Sequence, residues 1–200
     1  MQNPYLYLGL AFFLGSLPFG HWLALTRGVD LRKQGSGNTG ATNVGRVLGK
    51  KWGYLVFALD LGKGWLAVAM AQFAGELSDR WVLASGVCAV LGHVFSPWLG
   101  FRGGKGVATS AGILVGLTPW IALAVVGLWA GLFQISRMVS IASLGAATAF
   151  PVLVFWLHPT QSFLQWTSIG ISLLVWIRHR DNLQRLFQGN ENRFKNDESK

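Results

Sequence analysis

The chain has 200 residues, of which 52% are apolar and 12% are charged, and ten of them are tryptophan. A mean hydropathy of +0.41, with the charges clustered between long apolar runs, excludes an ordinary soluble domain and indicates an integral membrane protein. The formal net charge of +9 does not indicate nucleic-acid binding, because the cations flank the apolar runs instead of forming one basic face. These features predict a single membrane domain over residues 1–200 that ends in a basic tail from about 178 to 200.

The predicted elements are apolar stretches long enough to cross a bilayer. They lie at about 4–25, 54–75, 81–100, 107–136, 138–157 and 162–177. Each is predicted to be helical, because lipid offers no hydrogen-bond partner to an open backbone and about 20 helical residues cross the hydrocarbon core. The first stretch has no positive segment before it and is predicted to be a retained helix, not a cleaved signal peptide. The expected fold class is therefore all-α.

The positions of lysine and arginine predict how these helices cross the membrane. The cations cluster at 27–51, 102–105, 137 and 178–200. Arg80 lies in a loop where acids outnumber it. The stretch 107–136 is interrupted at Thr118-Pro119, and all four clusters fall on one side only if this stretch crosses twice, as the positive-inside rule requires. We therefore predict a polytopic protein with seven transmembrane helices, its N-terminus outside and its C-terminus in the cytoplasm.

A glycine-rich basic segment, 32–51, separates the first two apolar stretches. Its "GSGNTG" matches the dinucleotide-binding pattern, and Asp60 lies about twenty residues further on, but no strand precedes it and no βαβ unit follows. What remains is the physics of phosphate loops, in which glycines let several N–H groups point into one concavity. Side-chain donors are added by Ser36, Asn38, Thr39 and Asn43. The alternative is an interfacial loop that glycine merely keeps flexible.

A second polar segment, "GHVFSPWLGFRGGKGVATS" at 92–110, contains "GGKG" at the start of a predicted helix. It is not a Walker A loop, because the first glycine and the magnesium-binding hydroxyl of that motif are both missing. Gly103 and Gly104 are nevertheless predicted to present backbone donors beside the Lys105 ammonium and the positive end of the helix, which suits a phosphate. The alternative is a lysine that only obeys the positive-inside rule.

Charged and titratable residues also occur inside the apolar stretches. Asp60 and Lys63 lie one helical turn apart, where each charge costs about 2.5–3.5 kcal/mol on insertion scales. They are predicted either to neutralise each other as a structural pair or to face the polar site and tune it. His93 is interpreted as a packing histidine. The sequence has no HExxH motif, no paired cysteines and no carboxylate cluster, so no metal and no cofactor are expected.

The exit from the last apolar stretch reads "WIRHRDNLQRL". Its arginines suit a basic anchor that snorkels toward anionic headgroups, and Arg185 and Lys195 are assigned that role. His179 and Asn182 are predicted to share one helix face at i and i+3, where they supply a titratable donor and an amide. A membrane anchor alone would not require this second pair.

Four segments of the chain share one family resemblance. They are "SGNTGATN" at 36–43 with Arg46 after it, "GHVFSPWLGFRGGKGVAT" at 92–109, "MVSIASL" at 138–144 and the "RHRDN" exit. Together they closely resemble the PlsY family of bacterial membrane glycerol-3-phosphate acyltransferases, which use acyl phosphate as donor. The resemblance implies a seven-helix fold in the bacterial cell (inner) membrane, with the active site facing the cytoplasm.

The resemblance also implies a reaction. A fatty acyl group would pass from acyl phosphate to the sn-1 hydroxyl of sn-glycerol 3-phosphate, which gives lysophosphatidic acid and inorganic phosphate in the first step of phospholipid synthesis. The expected partners are these two substrates, membrane lipid and the enzyme that makes acyl phosphate, and not nucleic acid. The general base is left open between a substrate phosphate oxygen and His179.

Residue roles follow from the resemblance by matching motif. The acyl-phosphate pocket is implied to be lined by Ser36, Gly37, Asn38 and Asn43, with Gly103 and Gly104 as its floor. Glycerol 3-phosphate is implied to be held by Arg46, Lys105, Ser143, His179 and Asn182. The catalytic candidates are Ser36, Arg46, Lys105, His179 and Asn182, and the further substrate-binding candidates are Thr39, Asp60 and Lys63.

A membrane transporter of a phosphorylated solute is the competing class, because glycine-rich helices, a broken span and intramembrane charges suit it as well. The predicted gathering of the anion-binding loops at one interface favours the enzyme, since a carrier needs a midplane site that is reachable from both sides. No weak two-fold repeat is visible in the sequence either.

Overall fold

The structure is a computed structural model that describes residues 2–194, and every regular element in that range is helical. The helices are α1 (Pro4–Ser16), α2 (Phe19–Leu25), α3 (Ala41–Val47), α4 (Lys50–Ala69), α5 (Asp79–Val94), α6 (Val107–Leu117), α7 (Pro119–Ser136), α8 (Val139–Leu157), α9 (Ser162–Arg178) and α10 (Arg180–Phe187). A π-helical segment, Met70–Ala74, prolongs α4. The all-α class is thus confirmed for the described residues, whereas the end of the basic tail, with Lys195, lies outside them.

Five helical segments of the described chain are long and apolar enough to cross a membrane. They are Pro4–Leu25, Lys50–Ala74, Asp79–Leu99, Pro119–Ser136 and Val139–Leu157. Helix α6 is apolar but has only 11 residues, and α9 has 17. The predicted stretch 107–136 consists of two helices that meet at Thr118, as the two-crossing interpretation requires. The count of seven crossings stays a prediction.

The first span, predicted as one helix over 4–25, is interrupted at Leu17-Pro18. Proline lacks an N–H, and the residue before it is driven toward extended backbone, so the ladder of helical hydrogen bonds breaks here. The interruption leaves carbonyl oxygens that need other donors. Lys63 Nζ donates to the Leu17 oxygen at 2.9 Å, and Ser96 Oγ donates to the Ser16 oxygen at 2.7 Å. The break therefore brings polar backbone among the helices.

The described chain divides between Pro119 and Trp120 into two compact units. In the first unit, glycines allow helix backbones to touch. A Cβ on Gly15 of α1 would overlap the Ala89 carbonyl of α5, and a Cβ on Gly112 of α6 would overlap the Leu61 carbonyl of α4. Small residues at such crossings are characteristic of membrane helices, because close packing replaces the hydrophobic effect as the force that joins them.

The second unit contains α7 to α10, in which α8 packs on α9. Ser172 Oγ on α9 donates to the Ala147 carbonyl oxygen on α8 at 2.6 Å. Trp176 Nε1 donates to Thr148 Oγ1 at 3.2 Å one turn further along. These bonds across the two helices fix their register and place the end of α9, which carries the "RHRDN" motif.

Candidate active site

The glycine-rich loop between α2 and α3 takes its shape from Asn43, a buried residue in the first turn of α3. Asn43 Oδ1 accepts a hydrogen bond from the Ser36 N–H at 2.8 Å. Its Nδ2 lies within hydrogen-bond distance of three carbonyl oxygens, those of Leu31 at 3.3 Å, Gln34 at 2.9 Å and Asn38 at 2.9 Å. The side-chain amide of Asn43 therefore forms its hydrogen bonds with backbone groups of the loop. Asn43 organises the loop, and its predicted place against acyl phosphate stays a prediction.

Two glycines let this loop turn. Gly35 and Gly37 have φ values of +60° and +71°, in the left-handed region that favours glycine. A Cβ on Gly35 would also overlap Asn43 Oδ1. Asn38 Oδ1 accepts from the Gly40 N–H at 2.9 Å, which closes the last bend before α3. The loop is therefore held in its conformation by its own polar groups, which favours an ordered scaffold over an interfacial loop that glycine merely keeps flexible.

Helix α3 carries the cation predicted to bind the acceptor. Arg46 follows Asn43 at i+3, so the two side chains leave the helix on neighbouring positions. Arg46 is half-buried, and it lies in the last turn of α3. The residue that orders the glycine-rich loop and the predicted phosphate-binding arginine thus share one short helix.

The "GGKG" loop lies along the carboxyl end of α5. The Gly103 N–H donates to the Val94 carbonyl oxygen at 3.0 Å, and the Gly104 N–H donates to the His93 carbonyl oxygen at 3.1 Å. These carbonyls are among those that the end of an α-helix leaves without an internal partner. The interpretation of these two N–H groups as phosphate donors is therefore wrong. The place of both glycines in the floor of the pocket stays a prediction.

Close packing explains why glycine occupies both positions. A Cβ on Gly103 would overlap the His93 carbonyl oxygen, and a Cβ on Gly104 would overlap Nε2 of the His93 ring. Lys105 follows at once and is half-buried. Gly106, with φ +84°, then caps the amino end of α6. Lys105 thus directly precedes the amino end of α6, and the predicted combination of its ammonium with the positive helix end stays a prediction.

A small polar cavity in the first unit joins the two loops. Its volume is about 10 Å³, the space of a single water molecule. Four predicted site residues line it, namely Thr39, Asp60, Lys63 and Gly104. His93 and the interrupted backbone at Leu17-Pro18 are among the other residues that line it. The structure thus brings residues from four separate parts of the chain to one polar space.

The charged pair at this cavity is almost fully buried. Lys63 Nζ lies 2.8 Å from Asp60 Oδ1, and each residue is 3% exposed. His93 Nδ1 lies 3.6 Å from the same carboxylate oxygen. Asp60 and Lys63 therefore form an ion pair that lines the polar cavity, and a tuning effect on a substrate site stays a prediction. Direct contact of either residue with substrate stays a prediction.

Ser143, His179 and Asn182 lie in the second unit. Ser143 is buried and accepts a hydrogen bond from Trp129 Nε1 at 3.2 Å. His179 Nδ1 lies 2.8 Å from the Val175 carbonyl oxygen. A carbonyl can only accept, so Nδ1 carries the proton and, in the neutral ring, Nε2 is the basic nitrogen.

The helix that the sequence predicts to carry both His179 and Asn182 is interrupted at His179. Helix α9 ends at Arg178, α10 begins at Arg180, and His179 between them has φ −99° and ψ 9°. Asn182 is buried on the first turn of α10. Asn182 therefore lies on α10, whereas His179 forms the junction between α9 and α10. Their predicted contact with glycerol 3-phosphate stays a prediction.

Glu191 is the residue that the sequence interpretation missed. Its side chain is 1% exposed, and it accepts hydrogen bonds from Ser140 Oγ at 3.0 Å, Asn182 Nδ2 at 2.7 Å and Arg185 Nε at 2.8 Å. Arg185 therefore has a buried partner, so its assignment to headgroup attraction alone is wrong. Its signal in the sequence is weak, because Glu191 is one of four acids in the tail 178–200.

Folding lowers the pKa of the Glu191 carboxyl below its ordinary value. Burial alone would raise that pKa, but the hydrogen bonds from Asn182, Arg185 and Ser140 favour the charged form and outweigh it. A lowered pKa means that the carboxylate stabilises the folded state above the ordinary pKa of glutamate. This stabilisation is lost as the pH falls through the lowered pKa.

Comparison with known proteins identifies the family. The profile described as "Glycerol-3-phosphate acyltransferase" matches residues 5–189. A glycerol-3-phosphate acyltransferase of Geobacter sulfurreducens is 41% identical over 195 residues, which cover 98% of this chain and 100% of the relative. The crystal structure of PlsY, an integral membrane glycerol 3-phosphate acyltransferase, is similar in its glycerol 3-phosphate form with a TM-score of 0.91, at 40% identity over 96% of both chains.

A second crystal structure of PlsY, in its lysophosphatidic acid form, is similar with a TM-score of 0.87 and 38% identity, and covers 96% of this chain and 95% of that one. The match extends over nearly the whole chain in each comparison, and it includes both polar loops and the "RHRDN" exit. The chain belongs to the glycerol-3-phosphate acyltransferase family of integral membrane proteins.

Proposed function

We propose that the chain transfers a fatty acyl group from acyl phosphate to the sn-1 hydroxyl of sn-glycerol 3-phosphate, giving lysophosphatidic acid and inorganic phosphate. Family membership supplies the reaction class, an acyl transfer to glycerol 3-phosphate. The glycerol 3-phosphate form and the lysophosphatidic acid form of PlsY correspond to the acceptor and the product of this reaction. The reaction would make the first intermediate of phospholipid synthesis.

One observation carries the proposal. Thr39 of the glycine-rich loop and Gly104 of the "GGKG" loop line the same polar cavity, so the glycine-rich loop and the loop that carries Lys105 meet at one place. Acyl phosphate and glycerol 3-phosphate each carry one phosphate, and their reacting groups must be brought together. Ser36, Gly37 and Asn38 would hold the donor phosphate, and Arg46 and Lys105 would hold that of the acceptor.

The chemistry requires little beyond alignment. The acceptor hydroxyl oxygen attacks the carbonyl carbon of the mixed anhydride, and the carbon–oxygen bond to phosphate breaks as phosphate leaves with the electron pair. The hydroxyl proton passes to a substrate phosphate oxygen or to His179 Nε2. Cations and amides around the two phosphates stabilise the negative charge that develops, and fixed orientation removes much of the entropic barrier. Ser143 and Asn182 would orient the acceptor.

The donor is tested with purified protein in lipid vesicles that contain either a long-chain acyl phosphate or the corresponding acyl-CoA. Transfer to glycerol 3-phosphate is expected from acyl phosphate and not from acyl-CoA, because a thioester has no phosphate beside its carbonyl for the glycine-rich loop to hold. Vesicles without protein measure spontaneous transfer. Robust transfer from acyl-CoA alone contradicts the proposed donor.

The proposed site faces the cytoplasm of a bacterial cell (inner) membrane, in a fold of seven crossings with the N-terminus outside. In a Cys88→Ala background, cysteines at Lys51 and Gln188 should react with an impermeant thiol reagent from the cytoplasmic side. A cysteine at Ser78 should react from the opposite side. All three positions are exposed in the structure. Labelling of positions 51 and 188 from opposite sides would mean an odd number of crossings between them and would contradict the seven-helix topology.

A further inference from the structure

A row of largely buried polar side chains connects α4 to the "GGKG" loop, and the steps of the proposed reaction assign it no role. Asp60 Oδ1 lies 2.8 Å from Lys63 Nζ and 3.6 Å from His93 Nδ1. The far edge of the His93 ring faces Gly104, since a Cβ on that glycine would overlap Nε2. The row therefore runs from Lys63 through Asp60 and His93 to the residue before Lys105.

The row is anchored at its α4 end. Lys63 Nζ also donates to the Leu17 carbonyl oxygen at 2.9 Å, and its ammonium lies 5.5 Å from the centre of the Phe19 ring. A buried side chain with several polar partners is held in one rotamer, and it orients the groups bonded to it. Asp60 is thus a fixed acceptor, and the imidazole is confined between this carboxylate and Gly104.

The main chain of His93 holds the same loop. Its carbonyl oxygen accepts from the Gly104 N–H at 3.1 Å, and the next carbonyl, that of Val94, accepts from the Gly103 N–H at 3.0 Å. His93 therefore contacts the loop through its side chain and its backbone, directly before the predicted phosphate-binding lysine. A packing histidine would fill space, but it would not need a charged partner fixed on another helix.

We propose that His93 is a positioning residue for the acyl transfer. Asp60, anchored by Lys63, holds the imidazole against Gly104, and the ring thereby sets where Lys105 presents its ammonium. This inference rests on the proposed function in one respect, the role of Lys105 in holding the acceptor phosphate. Lys105 would hold that phosphate in the ground state and in the transition state alike, so a displaced ammonium should raise KM more than it lowers kcat.

The first test measures initial rates of the purified full-length protein with glycerol 3-phosphate varied. His93→Ala is expected to raise KM for glycerol 3-phosphate by about tenfold or more, with kcat changed by less than about threefold. Ser85→Ala is the matched control on α5, because it removes a hydroxyl that bonds only the Trp81 carbonyl one turn away, and it should leave both constants unchanged. An unchanged KM in folded His93→Ala overturns the proposal.

The second test uses the contact between the ring and the glycine. Gly104→Ala should raise KM strongly, because its Cβ displaces the imidazole or the loop. In the double variant His93→Ala/Gly104→Ala the ring is gone and the new methyl group has space, so KM should be lower than in Gly104→Ala alone. If the free-energy effects of the two substitutions on KM simply add, the proposal is overturned. If His93→Ala does not fold, His93→Asn replaces it, since asparagine keeps a donor near Asp60 and removes the Nε2 edge.

The two proposals fail in different ways. Glycerol 3-phosphate binding, measured by titration calorimetry without donor, reports on Lys105 whatever the donor is. If the wild type binds glycerol 3-phosphate but does not use acyl phosphate, the proposed donor fails, and the affinities of the same variants still decide the role of His93. If the wild type is active and His93→Ala retains the wild-type affinity, only the positioning role fails.

Discussion

Replacing Asn43 with alanine should reduce kcat/KM by about 30-fold or more. The substitution leaves at least two partly buried backbone groups of the glycine-rich loop without their partner, at up to ~1–3 kcal/mol each, and ~2 kcal/mol corresponds to about 30-fold in rate. The groups that lose their partner are the Ser36 N–H and the carbonyls of Gln34 and Asn38, which are hydrogen-bonded to the Asn43 side chain in the structure. The loop would lose the conformation in which Ser36 and Asn38 are proposed to hold the donor phosphate.

Two further variants separate loop organisation from a general loss of stability. Asn43→Asp keeps an acceptor for the Ser36 N–H but turns the donating amide into an anion that faces carbonyl oxygens, so it should be at least as damaging as alanine. Gln34→Ala removes only an exposed side chain of the same loop and keeps the carbonyl that Asn43 uses, so it should retain nearly full activity. The measurement is kcat/KM for both substrates in variants of equal yield. Near-normal kinetics in Asn43→Asp would contradict the role given to this amide.

The second large effect is expected from the two cations proposed to bind the acceptor. Arg46→Ala and Lys105→Ala should each lower kcat/KM for glycerol 3-phosphate by about tenfold or more, since a charged hydrogen bond contributes ~1.5–3 kcal/mol. Arg102→Ala is the matched control, because this exposed arginine lies in the same loop as Lys105. It should change kcat/KM by less than about threefold, as a surface cation attracted to headgroups contributes only about 1 kcal/mol.

The same assay applies to the second unit. His179→Ala and Asn182→Ala should behave like the variants of the two cations if both side chains bind the acceptor. Asn182 also donates to buried Glu191, so its variant needs a check of thermal stability before its kinetics are interpreted. Near-normal kinetics for both variants would show that the "RHRDN" exit does not form the acceptor site. Normal rates in folded Arg46→Ala and Lys105→Ala would likewise contradict the proposed phosphate contacts.

The class of the protein was determined by its sequence. Hydropathy and helix length are sums over neighbouring residues, so the apolar stretches predicted membrane helices without any knowledge of tertiary contacts. The interruption at Thr118-Pro119 was visible for the same local reason. The two glycine-rich motifs and the "RHRDN" exit pointed to the family, because each is a short contiguous sequence motif that can be recognised without knowledge of tertiary contacts.

The hydrogen-bond partners were decided by the tertiary structure. The acceptor of Ser96 Oγ is the carbonyl of Ser16, 80 positions earlier, and Glu191 accepts from Ser140, 51 positions earlier. No local pattern encodes such pairs, because they depend on which helix ends meet in three dimensions. The "GGKG" loop was misinterpreted for the same reason. Its glycines suggested free backbone donors, but in the structure their N–H groups donate to carbonyl oxygens at the end of α5. Sequence determined which residue types the site contains, and packing determined whether each serves the substrate or the scaffold.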